Sequence, residues 1–291
     1  MASERKKPSP AFESVLYKKW ERYGLHVKEY LSEFAGTAFL MFSVVGIISF
    51  LFASDSLVPG AIPSQSLRLF LAGLFIGSAS WLFALSPPGR LSGAHLNPAI
   101  SIGFWVLRKM HARDLVGYIA AQMLGSVAGA FCGRSVFGRL ANEVSSAALS
   151  PALNVTAEAA FLAEFTATFV LSIVIYTFVS HARLLRFTPA AATLMVAILV
   201  CADGNYTGAG MNPARWFGSA LASGNWHLWW VYLFAPISGA ILAALIRRSN
   251  LLGQPIPHTG KIFHDENYRS VFKHDKVQNQ PPAFLPENKD N

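Results

Sequence analysis

The sequence predicts an all-α membrane protein with six membrane-spanning helices, two re-entrant half-helices and an inverted internal repeat. Three observations carry this prediction: an apolar composition, six long apolar stretches and a short motif that occurs twice. Apolar residues make up 53% of the 291 residues and charged residues 14%, against about 25% charged residues in a soluble domain. The mean hydropathy is +0.37. This composition excludes a disordered chain and argues against an ordinary soluble enzyme.

Six stretches are, or nearly are, long and apolar enough to cross a bilayer, which takes about 20 residues. They are residues 31–53, 67–86, 113–136, 157–180, 188–202 and 227–247. Residues 1–28 are charged throughout and lack the apolar core of a signal peptide. We therefore expect the first stretch to remain in the protein as a membrane anchor.

The distribution of basic residues predicts the orientation. Lys and Arg are frequent in residues 1–28 and in the connection 87–112, whereas the connection 54–66 has none. Since basic connections stay on the cytoplasmic side, we expect a multi-pass protein of the cell membrane with both termini in the cytoplasm. The net charge of +8 belongs mainly to the part of the chain near the membrane, so no nucleic-acid partner is expected.

The chain divides into a membrane domain and two tails. We expect an N-terminal cytoplasmic tail over residues 1–29 and a membrane domain over 30–248, made of repeats at about 30–136 and 157–248. Residues 249–291 contain five Pro and equal numbers of basic and acidic groups. This composition predicts a cytoplasmic tail that is mostly disordered.

Two connections do not have the composition of loops. Residues 96–107 (LNPAISIGFWVL) and 211–222 (MNPARWFGSALA) are too apolar for water and too short to span a membrane. Non-spanning backbone is tolerated at membrane depth only where protein buries it or where it lines a cavity. We therefore expect two re-entrant half-helices, one entering from each side of the membrane.

The two halves of the chain repeat each other. The sequence Ser92-Gly-Ala-His-Leu-Asn-Pro-Ala matches Thr207-Gly-Ala-Gly-Met-Asn-Pro-Ala, and SEFAGT at 32–37 matches AEFTAT at 163–168. A third match joins the third and sixth spans, and the three matches occur in the same order in both halves. Each half holds three spans, an odd number, so the halves have opposite orientations. An inverted repeat predicts a functional site near the midplane, between the halves.

The repeated Asn-Pro-Ala motif has a physical meaning at a helix start. Asn is a strong N-cap, and Pro fits the first helical position. If the Asn side-chain oxygen caps the helix, its NH2 group remains a free donor. Two such starts at the midplane would donate to a passing oxygen atom, repel cations and interrupt proton conduction. The predicted pore motif comprises Asn97, Pro98, Ala99, Asn212, Pro213 and Ala214.

With these motifs, the chain resembles the aquaporin, or major intrinsic protein, family. The resemblance covers residues 30–248 and rests on both Asn-Pro-Ala motifs, on Arg215 directly after the second, and on Glu33 and Glu164. It implies an aquaporin-like fold and a homotetramer of independently conducting monomers. The implied function is a passive channel for water, and for small uncharged solutes, that excludes protons and ions.

The resemblance also implies roles for single residues. Arg215 stands at the narrowest point and excludes cations, while Glu33 and Glu164 accept hydrogen bonds from the loops that enter the half-helices. An intramembrane carboxylate can also couple protons, which would make the protein a proton-coupled secondary transporter. His95 precedes the first motif, where it either lines the cytoplasmic vestibule or has a structural role.

The selectivity filter implied by the family has four walls. They are Arg215, Ala209, Val200 and Gly77, or Gly73 in place of Gly77 if the stretch 86–90 holds an insertion. Phe75 is a further candidate wall that could intrude. Strict water channels carry an aromatic residue and a His at the two helix walls, and this chain has neither. Glycerol facilitators usually carry Asp directly after the Arg, where this chain has Trp216. We expect a wide, weakly polar filter.

Other functions receive less support from the sequence. A channel mainly for glycerol, urea or another small neutral solute remains an alternative, and a proton-coupled transporter is a weaker one. No catalytic triad, nucleotide loop or zinc pattern is present, and two Cys do not make a disulfide scaffold. We expect no enzymatic activity, cofactor or metal. The expected partners are water, small neutral solutes, lipid and further copies of the chain.

Overall fold

The structure is a computed structural model that describes residues 24–249 and 259–263. Its six long helices are apolar enough to cross a membrane, which confirms the predicted fold class. These helices are α1 (Val27–Phe52), α2 (Gln65–Leu85), α4 (Ala112–Glu143), α5 (Ala157–Phe178), α6 (Thr188–Asp203) and α8 (Trp229–Arg248). Between them lie the two half-helices, α3 (Pro98–Val106) and α7 (Pro213–Ser223).

Short helical turns occupy several connections. They are Val58–Ala61, Pro87–Ser92, Ser145–Ala147 and Leu185–Phe187. The turn at Pro87–Ser92 was not expected from the sequence. It forms because Ser86 caps it: the Ser86 hydroxyl accepts a hydrogen bond from the Gly89 N–H at 3.3 Å, and Pro follows at the first helical position.

The helices pack in a pattern that repeats between the halves. α1 packs along α4, and α5 packs in the same way along α8. The half-helix α3 contacts α8, and its counterpart α7 contacts α4. α2 and α6 pack against each other where the two halves meet. Each helix contact in the first half thus has a counterpart in the second half, as an inverted repeat requires.

The two sides of the molecule can be distinguished by their hydrogen bonds. Arg113 donates to the Gly24 carbonyl at 3.1 Å, and Arg248 donates to the Val106 carbonyl at 3.5 Å. The start of α1 and the end of α8 thus lie on one side, called here the terminal face. The other side, called the opposite face, holds the connections 53–64, 144–156 and 204–207.

Glycine residues set how closely the paired helices approach. Gly125 and Gly129 of α4 lie against the backbone of α1, and Gly239 of α8 lies against the backbone of α5. A Cβ atom at any of these positions would overlap a main-chain carbonyl oxygen. Small residues on one face permit such crossings in membranes. These glycines therefore let α1 approach α4, and α5 approach α8, at close distance.

The predicted tails fall mostly outside the described residues. Residues 1–23, 250–258 and 264–291 lie there, including most of the tail that was expected to be disordered. Two parts of the predicted tails are described. Residues 24–29 lead into and begin α1, and residues 259–263 are packed beside the loop that leads into α3.

Candidate functional site

The two half-helices begin where the Asn-Pro-Ala motifs predict. The Asn97 side-chain oxygen accepts a hydrogen bond from the Ala99 N–H at 2.9 Å, and the Asn212 oxygen accepts one from Ala214 at 3.0 Å. Both Asn residues have extended backbone, and Pro occupies the first helical position after each. Each Asn therefore acts as an N-cap.

The two caps also hold the halves together. The Asn97 side-chain nitrogen donates to the Met211 carbonyl at 2.9 Å, and that of Asn212 donates to the Leu96 carbonyl at 2.8 Å. The sequence had suggested that both N–H bonds of each amide stay free. One is instead used across the interface between the halves. The second N–H of each amide is left for the cavity that both residues line.

A buried carboxylate organises the loop before the second half-helix. Glu164 of α5 is fully buried and accepts hydrogen bonds from the backbone N–H groups of Gly210 and Met211, both at 2.7 Å. The Thr207 hydroxyl donates to it as well, at 2.7 Å. The loop N–H groups would otherwise be buried without partners, so the carboxylate satisfies them.

Glu33 of α1 does the same for the first half-helix. It is fully buried and accepts hydrogen bonds from the N–H groups of His95 and Leu96, at 3.0 and 2.8 Å. The Gln122 side chain donates to it at 2.8 Å. Both carboxylates are thus held by the loops that enter the half-helices.

These contacts determine which polar groups face the space between the halves. In a trans peptide the N–H and C=O bonds point in opposite directions. Because the N–H groups of Gly210 and His95 point at carboxylates, the carbonyls of Ala209 and Ala94 point away from them, toward the cavity that these residues line. The loops hold this shape with left-handed backbone at matching positions, namely Gly93, Ala94, Leu96, Gly208, Ala209 and Met211.

A central cavity runs between the halves. Its polar side is formed by the two loops, including Asn97 and Asn212. The remaining wall is mostly apolar and comes from the spanning helices. Its apolar side chains include Leu40, Val44, Ile76, Leu171, Ile175, Val196 and Val200. A molecule inside therefore meets hydrogen-bonding groups mainly on the side of the loops, and Ser80 and Thr193 add two hydroxyl groups from the spanning helices.

A second cavity continues toward the opposite face, where Gln65 and Asn205 line it. Three residues line both cavities: Ile76, Val200 and Arg215. These three side chains form the boundary between the two spaces. We call them the shared wall.

Arg215 brings a positive charge to the shared wall. It is 8% exposed, and its Nε and Nη1 atoms have no hydrogen-bond partner among the described residues. A buried guanidinium carries five N–H donors, and leaving them unsatisfied is costly. Because the side chain lines both cavities, these donors lie where the two cavities meet.

The sequence profile of the major intrinsic protein family matches residues 19–247. The chain belongs to this family. The family consists of membrane channels, not enzymes, so the absence of a catalytic constellation from the sequence agrees with the assignment.

The chain is similar to named aquaporins and to a solved channel structure from three organisms. It is 33% identical over 239 residues to aquaporin AqpM of Methanothermobacter thermautotrophicus, covering 75% of this chain and 95% of that protein. It is 35% identical over 231 residues to aquaporin A of Dictyostelium discoideum, covering 76% and 77%. The solved structure of the aquaglyceroporin from Plasmodium falciparum superposes with a TM-score of 0.63 at 26% identity, covering 76% of this chain and 95% of that one.

The structure of this major intrinsic protein also locates the predicted filter positions. Val200 and Ala209 line the central cavity with Arg215. Gly77 lines it too, and its backbone lies against Thr193 of α6. Gly73 instead lies directly against α6, where a Cβ atom would meet Val200.

Ile76 was not among the predicted filter residues. A helical side chain leans toward the N-terminus of its helix and covers the turn before its own Cα atom. The side chain of Ile76 therefore covers the level of Gly73, one turn earlier in α2. Counting residues back from the motif found the two glycines, but only the packing of α2 on α6 identifies Ile76 as lining.

Three further predicted residues have definite places. Phe75 is 47% exposed and lines neither cavity, so the expectation that it could intrude is wrong. Trp216 is buried in a cluster with Leu149 and Tyr232 and also lines neither cavity. His95 lines the terminal-face end of the central cavity and is 3% exposed. Over residues 24–249 and 259–263, no group of three His, Cys, Asp or Glu could hold a metal.

Proposed function

We propose that the chain is a passive channel that conducts water and small uncharged solutes and excludes protons and ions. The observation that carries this proposal is the pair of cavities that meet at Ile76, Val200 and Arg215. Together they extend from the level of His95, near the terminal face, to the level of Gln65 at the opposite face. Small molecules can diffuse along such a path without any chemical reaction.

Ion exclusion follows from the polar groups along this path. The Asn97 and Asn212 amides each present an N–H donor at the starts of two helices, whose positive dipole ends meet there. Arg215 adds a fixed positive charge at the shared wall. Cations are repelled at both levels. Water molecules at these two levels accept hydrogen bonds from the fixed donors. The chain of water-to-water hydrogen bonds along which a proton could move is therefore interrupted there.

The buried carboxylates support a channel over a transporter. Glu33 and Glu164 each accept two backbone hydrogen bonds, and side chains donate to both as well. A proton taken up by either group would displace one of these donors and disturb the loop. The two groups therefore fit a structural role, and the proton-coupled transporter remains the weaker hypothesis.

The solute range follows from the shared wall. We infer that Ile76 supplies the second-helix wall of the filter, in place of Gly77 or Gly73, opposite Val200 and beside Ala209. Two branched aliphatic side chains and a methyl group leave Arg215 as the charged donor. Such a filter rejects small neutral molecules only weakly on the basis of size or polarity. It still rejects cations because of the charge on Arg215. Glycerol, urea and weak uncharged acids are the expected solutes besides water.

Flux into proteoliposomes tests this function. The purified full-length chain is reconstituted, and stopped-flow light scattering follows shrinkage in an osmolyte and re-swelling in glycerol or urea. We expect water and solute permeabilities above those of protein-free liposomes, unchanged by an imposed pH gradient and without proton leak. Permeability equal to that of protein-free liposomes would refute the channel. Solute uptake that requires a pH gradient would favour the transporter, and solute flux without water flux would favour a glycerol or urea channel.

We further propose that the channel is a homotetramer of the cell membrane with both termini in the cytoplasm. Family membership supports the tetramer, and the frequency of Lys and Arg in the connection 87–112 supports the orientation. Native mass spectrometry should give four times the chain mass of 31.6 kDa. A C-terminal tag should react with antibody only after the cells are permeabilised; reaction on intact cells would reverse the orientation.

A further inference from the structure

Five residues of the C-terminal region, 259–263, lie at the terminal-face end of the channel. We call this segment the strap. The Ile262 N–H donates to the Gly93 carbonyl at 3.0 Å, in the loop that leads into α3. The Nε2 atom of His95 lies 2.6 Å from the Gly260 carbonyl. Because a carbonyl only accepts, the imidazole donates this hydrogen bond. The strap is therefore bound to the same loop that carries the first Asn-Pro-Ala motif.

The strap is seated deeply. Thr259 is 1% exposed and Lys261 is fully buried. The Lys261 ammonium donates to the Arg90 carbonyl at 2.6 Å, and the Arg90 guanidinium lies 5.6 Å from the centre of the Phe263 ring. Each of the five residues is buried or half-buried. A segment that merely passed over the surface would not place a lysine side chain in the interior.

The loop is shaped to receive the strap. Gly93 has left-handed backbone with φ of +86°, and a Cβ atom there would lie 2.8 Å from the Lys261 side chain. A larger residue would therefore push the strap away as well as strain the loop. Gly208, at the matching place in the second half, lies instead against Leu149 of the connection after α4.

The strap reaches the channel itself. Ile262 lines the central cavity, at the end where Trp81, Ala84 and His95 also line it. His95 bonds to the strap and also faces the cavity. The seat of the strap and the terminal-face end of the channel are thus one place.

We propose that the strap is an autoinhibitory plug that closes the central cavity at the terminal face and releases to open it. This inference rests on the proposed channel function. The nine residues 250–258 join the strap to α8, so a released strap remains tethered at high local concentration. Docked and released forms exchange, and the permeability follows the released fraction.

Two truncations separate the strap from the rest of the tail. One chain ends at residue 258 and lacks the strap, and the other ends at residue 269 and keeps it. If the docked form predominates, the chain that ends at residue 258 should have a water permeability per channel at least about twofold higher than the full-length chain. The chain that ends at residue 269 should match the full-length chain. Equal permeability in all three chains would overturn the plug. Lack of flux in all three would overturn the channel function itself.

A point variant and a peptide test the same idea in folded protein. Ile262→Asp places a carboxylate at an apolar seat and should raise permeability as much as ending the chain at residue 258 does. Lys276→Ala, elsewhere in the tail, should leave permeability unchanged. A synthetic peptide of residues 256–266 should inhibit the chain that ends at 258, and the same peptide with Ile262→Asp should not. Equal effects of the two peptides, or none from either, would contradict the plug.

Hydrogen exchange measures docking without measuring flux. In the full-length chain the Ile262 amide should exchange slowly, because it donates to Gly93 in a buried seat. In Ile262→Asp the amide of residue 262 should exchange much faster, while amides in α5 keep their protection. Fast exchange at Ile262 in the full-length chain would show that the strap does not dock and would overturn the proposal.

Discussion

The two halves of the chain use the same residue types, at matching positions, to hold the loops before the half-helices. They carry different residues at positions that line the central cavity. Glu33 and Glu164 each bind two consecutive loop N–H groups. Tyr118 donates to the Ser92 carbonyl at 2.7 Å, and Tyr232 donates to the Thr207 carbonyl at the same distance. Each half thus repeats these hydrogen bonds in the opposite orientation, although the Gln122 donor to Glu33 has no counterpart because Pro236 stands at the matching place.

Two further differences lie at positions that face the central cavity. Where the second half has Gly210 and Arg215, the first half has His95 and Ile100 at the matching places of the repeat. The charged donor therefore stands only on the opposite-face side of the Asn pair, and the imidazole only on the terminal-face side. Because the two halves share most of their scaffold, their cavity-facing residues can differ: the second half carries the proposed filter residue, and the first half carries the imidazole that binds the strap.

Removing a scaffold carboxylate should have the largest effect. Glu164→Ala leaves the N–H groups of Gly210 and Met211 buried without partners, at roughly 1–3 kcal/mol each. We expect a large loss of yield and of melting temperature in detergent, and the same for Glu33→Ala. Glu158→Ala, an exposed residue at the start of α5, is the matched control. If the carboxylate variants are stable and lose only a pH-dependent flux, the transporter hypothesis wins.

Exchanging the amides for carboxylates should damage both halves alike. In Asn97→Asp and Asn212→Asp the side-chain oxygen can still cap the helix, but the bond to the carbonyl of the other half becomes a repulsion. We expect poor assembly, lower water flux or a cation leak, measured as yield, shrinkage rate and conductance. If both variants keep full flux and full ion exclusion, the amides have no part in selectivity.

Removing the charge that distinguishes the second half should change selectivity but not folding. Arg215→Val takes the positive charge from the shared wall, so protons or small cations should leak while water flux stays similar or rises. Arg139→Val is the control, because Arg139 is exposed and forms a surface ion pair with Asp55 at 2.5 Å, which is worth little. Unchanged proton and cation conductance in Arg215→Val would remove Arg215 from the filter.

Narrowing the shared wall should have the smallest and most selective effect. Ile76→Phe combined with Val200→His adds bulk and polarity, so glycerol and urea permeability should fall more than water permeability. Phe75→Ala, which alters an outward-facing residue, should leave the ratio unchanged. An equal fall in water and solute permeability, or a wild-type channel that passes water alone, would contradict the wide filter. Gly77→Phe is unsuitable, since a Cβ atom there would already meet the Thr193 backbone.

Much of the fold could be predicted because bilayer physics acts on local sequence. Long apolar stretches must be helices, since lipid offers the backbone no hydrogen bonds. Asn followed by Pro specifies a helix start without any distant partner. The ends of the helices were harder to predict. α4 runs to Glu143, beyond the predicted residue 136, because its last turns are polar and continue past a non-helical residue, Gly138.

Contacts between distant segments could not be predicted in the same way. The bond from Asn97 to the Met211 carbonyl depends on the meeting of two half-helices 114 residues apart. The place of Ile76 depends on how closely α2 approaches α6. Neither partner lies near the other in sequence, and side-chain direction matters as much as position.

The sequence by itself determined the membrane class, the repeat, the caps and the charged residue that follows the second motif, because each depends on hydropathy or on a few adjacent residues. The tertiary structure decided which side chains bound the cavities and where the strap lies. Residues 259–263 carry no local pattern that distinguishes them within a polar, Pro-containing tail. Their burial arises from a seat made by Arg90, Gly93 and His95, more than 160 residues earlier.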